Sequence, residues 1–90
     1  MDLPVNYDEI DQPERRKVRE EYIKRQEGKC CHCGQALDQK AEENKEINRN
    51  LFPTKFFNHP VHLHHNHDTG MTIGAVHCYC NAVLWQYHGE

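Results

Sequence analysis

Two tight clusters of sulfur and imidazole ligands constrain this chain more than anything else in it: Cys30, Cys31, His32 and Cys33 in the first, His77, Cys78 and Cys80 in the second. There is little other material to build a fold on. A chain of 90 residues buries only about 60% of the surface its unfolded form exposes. Only 37% of the residues are apolar and 9% aromatic, so a conventional core is thin. At this size a structural metal is the usual supplement, and paired Cys/His clusters read as zinc sites. Four ligands close such a site. Cys30 with Cys33 and His77 with Cys80 form two pairs three residues apart, a spacing that converges on one ion from a turn or from the first turn of a helix. Spacing alone also admits sets drawing on Cys78 or His32. Cys31 and Cys78 are then incidental, partly buried thiols.

No apolar run approaches a membrane span, and the start, MDLPVNYDEID, lacks the basic and apolar regions of a signal peptide. A cytoplasmic setting is therefore expected, where closely spaced thiols serve as metal ligands rather than disulfides. The formal net charge of −3 weighs against a nucleic-acid binder, since affinity for phosphate comes from Lys and Arg. The distribution of charge relieves this: Arg15, Arg16, Lys17, Arg19, Lys24, Arg25 and Lys29 crowd one segment. Bound cations add positive charge that the sequence does not count.

Residues 1–11 lack periodicity and read as an extended arm. Asp11 or Gln12 before Pro13 and Glu14 marks a helix start, and strong helix formers continue to Gly28, with Val18, Tyr22 and Ile23 as a narrow apolar stripe. Cys30-x-x-Cys33 followed by Gly34 has the form of a zinc knuckle, a turn whose N–H groups point at sulfur. Residues 37–57 read as an insertion, either an exposed helix or a mobile segment. Phe52, Phe56 and Phe57 near its end are expected to complete the core rather than to contact DNA. From Val61 the pattern alternates, NHDTG marks a turn, MTIGAV reads as a second strand, and a helix from Cys78 carries Val83, Leu84, Trp85 and Tyr87 as packing candidates. The local order is strand, turn, strand, helix. The fold class expected is small α+β.

Five histidines, His59, His62, His64, His65 and His67, fall within nine residues. His59 and His62 read as ordinary core or surface groups. For His64, His65 and His67 the density points to chemistry, because neutral imidazole both ligates metals and, with an unperturbed pKa of roughly 6.5, abstracts protons near neutral pH. HLHHNHDTG followed by MTIGAVHCYCN resembles the core of the phage recombination endonuclease VII group of HNH (ββα-metal, His-Me finger) nucleases. In that register the group's DHDH-like tetrad falls on His64, His65, Asn66 and His67, and its final C–N pair on Cys80 and Asn81. The resemblance spans roughly residues 28–84.

What the resemblance implies is a zinc-stabilised ββα-metal fold, a hairpin plus helix behind an N-terminal helix, forming a single nuclease domain over 12–90. It implies His64 as ligand of a catalytic divalent metal, His65 as general base, and Asn81 as the residue that closes the metal site or orients the base, with His67 at the phosphate or completing the metal shell. Zn²⁺ would sit on Cys30, Cys33, His77 and Cys80. Mg²⁺, Mn²⁺ or another divalent transition metal would sit on His64 and Asn81. The chain departs from the group in having His64 where Asp is frequent and His77 where Cys is usual; the first makes the site less anionic and favours borderline metals, the second is tolerable at zinc. The expected activity is phosphodiester hydrolysis on DNA, nicking or double-strand cutting, by a phage-encoded hydrolase in the host cytoplasm. Only ten residues follow Cys80, whereas the group's founding resolvase dimerises through later helices, so a monomer is expected, with a larger phage or host protein as a conceivable partner. Two other readings compete: a non-catalytic zinc module binding DNA or protein, and a metal-storage or sensing segment.

Overall fold

The computed structural model describes residues 1–89. Helix α1 spans Gln12–Arg25, strand β1 Val61–His65, strand β2 Thr72–His77 and helix α2 Cys78–His88; the two strands form one antiparallel sheet. The chain is thus a small α+β fold whose C-terminal half runs strand, strand, helix. No described helix is long and apolar enough to cross a membrane.

Local chemistry accounts for each element. Asp11 caps α1 by accepting from the Glu14 N–H at 3.1 Å, and Pro13 sits where its missing N–H costs nothing. Lys24 and Arg25 occupy the last turn, where cations suit the helix dipole. Val18 and Tyr22, one turn apart, are the buried positions of α1 and rest on the hairpin, with the Tyr22 hydroxyl 2.9 Å from Thr72 Oγ1. In the hairpin turn, Asn66 Oδ1 accepts from the N–H groups of Asp68 and Thr69, an Asx turn that occupies the third tetrad residue. Ala75 and Val76, at 0% and 1% exposure, point to opposite sides of β2, so that strand is covered on both faces. Leu63, Tyr79 and Val83 continue the core, and Cys30 and Cys80 belong to it.

At Ala75 the edge of β2 is closed by a side chain and the Cys31 N–H, which donates to the Ala75 carbonyl at 3.0 Å, rather than by a third strand. Gln26, just past α1, accepts from the Ala75 N–H at 2.9 Å through Oε1 and donates from Nε2 to the Ala75 carbonyl at 2.9 Å. Gly74 makes room for it: a Cβ there would lie 2.8 Å from Gln26 Oε1 and 3.0 Å from Cys31 Sγ.

Two segments take forms that local patterning does not encode. Residues 1–11 lie against the hairpin, with the Thr72 N–H donating to the Val5 carbonyl, the Tyr7 N–H to the Gly70 carbonyl, and a short 3-10 turn over Tyr7–Glu9. The 37–57 segment is neither a helix nor detached. It is an irregular strap with a 3-10 turn at Arg49–Leu51, tied to α2 by Tyr79 and Tyr87, whose hydroxyls donate to the carbonyls of Lys45 and Glu46 at 2.6 Å. Phe52, Phe56 and Phe57 do not enter the core as expected. They cluster among themselves, and Phe52 meets Trp85 edge-on at 5.4 Å, because the strap carries them to the outer side of α2.

Candidate active site and metal centre

The ligand atoms of Cys30, Cys33, His77 and Cys80 lie within 4.8 Å of one another, a grouping that could hold a metal ion. The knuckle brings the first pair together: the Cys30 N–H donates to the Gln35 carbonyl, the Gly34 N–H to the Cys30 carbonyl, and Gly34 adopts φ +77°, which a side chain would strain. The second pair comes from the start of α2, where His77 is the N-cap and Cys80 lies in the first turn. His77 does not cap the helix with its side chain. Its Nε2 is 2.9 Å from the Ala36 carbonyl. A carbonyl can only accept, so Nε2 carries the proton and Nδ1 presents its lone pair, 3.4 Å from Cys33 Sγ and 3.7 Å from Cys80 Sγ. Zinc bonded tetrahedrally to sulfur and nitrogen places those atoms about 3.6 Å apart, so the donor set fits zinc in both chemistry and spacing. The Ala36 carbonyl is the kind of outer partner to which metal-bound histidines usually donate.

The sulfurs share their protons unevenly. Hydrogen bonding from the Cys80 thiol holds Cys30 well below the usual thiol range, helped by backbone N–H groups including that of His32. Cys80 is pushed up correspondingly. Cys31 and Cys78 stand outside the group, and burial raises both.

The residue after Cys80, Asn81, lines a cleft of about 780 Å³ together with His62, His64, His65 and His67 and with Arg15, Arg16 and Arg19 of α1. Neighbouring residues of a regular strand face opposite ways, yet His64 and His65 both line this cleft. The ladder slips between them, His64 pairing with Gly74 and His65 with Thr72, so that Ile73 is an extra residue on β2. Such a bulge twists a strand and re-aims its side chains. His64 is buried at 5% exposure, whereas His65 is half-exposed and His67 exposed on the turn.

His65 is clamped. Its ring stacks on Tyr7 with centroids 3.9 Å apart and planes 6° from parallel, and the Arg15 guanidinium lies 3.9 Å over the same Tyr7 ring while donating twice to the Tyr7 carbonyl. Burial lowers the His65 pKa, the nearby His67 and His64 lower it further, and Asp8 and the Leu63 carbonyl oppose them. Asn81, half-buried in the first turn of α2, lies 3.0 Å through Nδ2 from His62 Nδ1. His62 Nε2 is 2.8 Å from the Phe56 carbonyl, so Nε2 carries the proton and Nδ1 accepts from the Asn81 amide. The Asn81 amide nitrogen is thereby fixed on His62, which leaves Oδ1, a hard oxygen donor, for a cation or a second acceptor role. Burial lowers the His62 pKa and keeps it a neutral acceptor.

All four residues expected at the chemistry, His64, His65, His67 and Asn81, line one cleft. Sequence reasoning passed over His62, Tyr7 and the walls of the cleft. For His62 a signal was present, since it alternates with His64 along β1; for Tyr7, 58 positions before its partner, there was none. Compared with family models, with curated proteins and with solved structures, the chain matches none.

Proposed function

We propose that the protein is a zinc-stabilised, metal-dependent DNA endonuclease that hydrolyses phosphodiester bonds with His65 as general base. The observation that carries this reading is the cleft that gathers two adjacent histidines, a fixed asparagine and three arginines beside a four-ligand Cys/His cluster. The resemblance of HLHHNHDTG and the Cys80–Asn81 pair to HNH nucleases supports it independently of that geometry.

Neutral His65 takes a proton from a water in the cleft as the water oxygen attacks phosphorus; the bond to the 3′ oxygen breaks and that oxygen takes a proton from solvent water, leaving 5′-phosphate and 3′-hydroxyl ends. A positioned base contributes on the order of 10²–10⁴ in rate. Tyr7 and Arg15 hold the imidazole in place. His64 and Asn81 Oδ1 would hold a divalent cation, which when bound supplies Lewis-acid stabilisation of the phosphate and the leaving oxygen. Arg16 and Arg19 hold flanking phosphates. Cys30, Cys33, His77 and Cys80 would hold Zn²⁺, and because Asn81 follows Cys80 directly, that cluster sets the end of α2 that carries the amide.

Supercoiled plasmid incubated with the zinc-loaded protein under Mg²⁺, Mn²⁺, Ni²⁺ or EDTA tests the reading. Nicked or linear product is expected with a divalent metal and not with EDTA, and His65→Ala is expected to lose it while keeping zinc and fold. A wild-type protein that leaves both this plasmid and a single-stranded DNA circle intact with every metal overturns the nuclease reading in favour of a non-catalytic zinc module.

A further inference from the structure

The cleft has a wall that the hydrolytic chemistry does not use. Besides the histidines and arginines, an apolar set lines it: Leu51, Phe52, Phe56 and Trp85. Trp85 is 44% exposed and Leu51 49%. Phe52 meets Trp85 at 64° between planes, and the indole lines the cleft. Asn81 and Trp85 are four residues apart on α2 and so share one face, about one turn apart. Arg16 and Arg19 form no ion pair among the described residues.

We propose that this wall is a stacking platform for an unpaired nucleobase, so that the substrate class is single-stranded or locally unpaired DNA. The inference rests on the nuclease reading for which phosphate lies at Asn81. Three arguments carry it. A base inside a duplex has both faces covered by its neighbours, so only an unstacked base offers a face to Trp85. Duplex binders draw affinity from many phosphate contacts, about 6–10 in typical cases, whereas this cleft offers two unpaired arginines and Arg15 is committed to Tyr7. Stacking on an aromatic ring supplies what so few charges cannot. The cleft, at about 780 Å³, has room for a nucleotide. The base next to the scissile phosphate lies on Trp85, and its backbone runs across to Arg16 and Arg19.

Trp85 is the one tryptophan of the chain, so indole fluorescence reports on this wall alone. The zinc-loaded His65→Ala protein, without added Mg²⁺, is titrated with the oligonucleotide (dT)₁₂ and separately with the (dT)₁₂·(dA)₁₂ duplex. The single strand is expected to quench the fluorescence and to bind at least tenfold tighter than the duplex. In an anisotropy assay with labelled (dT)₁₂, Trp85→Ala is expected to weaken binding by about tenfold, within the range of one base–aromatic stack, and Trp85→Phe to retain most of it. Changing Arg16 and Arg19 together to Gln should reduce the salt slope of log Kd by about 1.4. Unchanged fluorescence with (dT)₁₂, equal affinity for the duplex, or wild-type affinity in Trp85→Ala would each overturn the proposal. The two readings fail separately. A protein that nicks plasmid while Trp85→Ala binds (dT)₁₂ unchanged loses only the stacking platform, and one that stacks (dT)₁₂ but cuts no DNA with any metal loses only the nuclease.

Discussion

Replacing Gly74 by alanine sets two effects against each other, and the geometry decides the sign. Within a strand, alanine is ordinarily favoured over glycine by about 0.5–1 kcal/mol, because glycine loses more backbone freedom on folding. Here the new Cβ would meet Gln26 Oε1 at 2.8 Å and Cys31 Cβ and Sγ at 3.0 Å. Gln26 would have to leave, and three hydrogen bonds leave with it: one from the Ala75 N–H, one to the Ala75 carbonyl and one to the Lys29 carbonyl at 2.8 Å. Each contributes about 0.5–1.5 kcal/mol, and the Ala75 N–H, in a residue with no solvent exposure, would be left unsatisfied. The net expectation is a loss of about 2–3 kcal/mol. For a domain of this size that lowers Tm by about 10–20 °C. Thermal unfolding of both zinc-loaded proteins, followed by far-UV circular dichroism, measures it. The double variant Gly74→Ala/Gln26→Ala should unfold within a few degrees of Gln26→Ala alone, since the same bonds cannot be lost twice. A Gly74→Ala protein as stable as the wild type refutes the reasoning, and strictly additive losses refute the part assigned to Gln26.

Removing the metal or one of its ligands should cost more than any single packing change, because structural zinc supplies about 10–16 kcal/mol of apparent binding free energy in small peptides. Cys80→Ser, or a strong chelator, should therefore abolish cooperative unfolding, whereas Cys78→Ser, outside the cluster, should leave Tm nearly unchanged in the same scan. On the proposed mechanism, His64→Ala should weaken binding of the catalytic metal, so that raised Mn²⁺ recovers part of the plasmid cleavage; His65→Ala should not respond to metal but should respond to added imidazole. With His65 as the proposed base, the pH profile of kcat/KM should have its acid limb below the ordinary histidine value, since burial lowers the His65 pKa and only the neutral ring accepts a proton. Tyr7→Ala, which exposes that ring, should move the limb upward toward about 6.5, while Tyr7→Phe, which keeps the stack, should leave it in place.

What the sequence by itself determined lies within short spans. The cap at Asp11 and Pro13, the alternation from Val61, the Asn66 turn, the helix from Cys78 and the two ligand pairs three residues apart are each encoded by local spacing, which backbone geometry converts directly into structure. The set Cys30, Cys33, His77 and Cys80 was legible for that reason, and the four ligand atoms do converge. Tertiary structure alone decided whatever depends on which segments meet. Tyr7 reaches His65 because the first residues pair with the far end of the hairpin. Gln26, with the Cys31 N–H beside it, stands in for a missing strand, an arrangement no periodicity announces, because a single amide can pair with both the N–H and the carbonyl of Ala75. His62 looked incidental until the start of α2 brought Asn81 to its ring, and the phenylalanines looked like core until the strap carried them across α2 to Trp85. Local patterns say which face of an element is apolar. They do not say what will cover it, because that is settled by the packing of distant segments against one another.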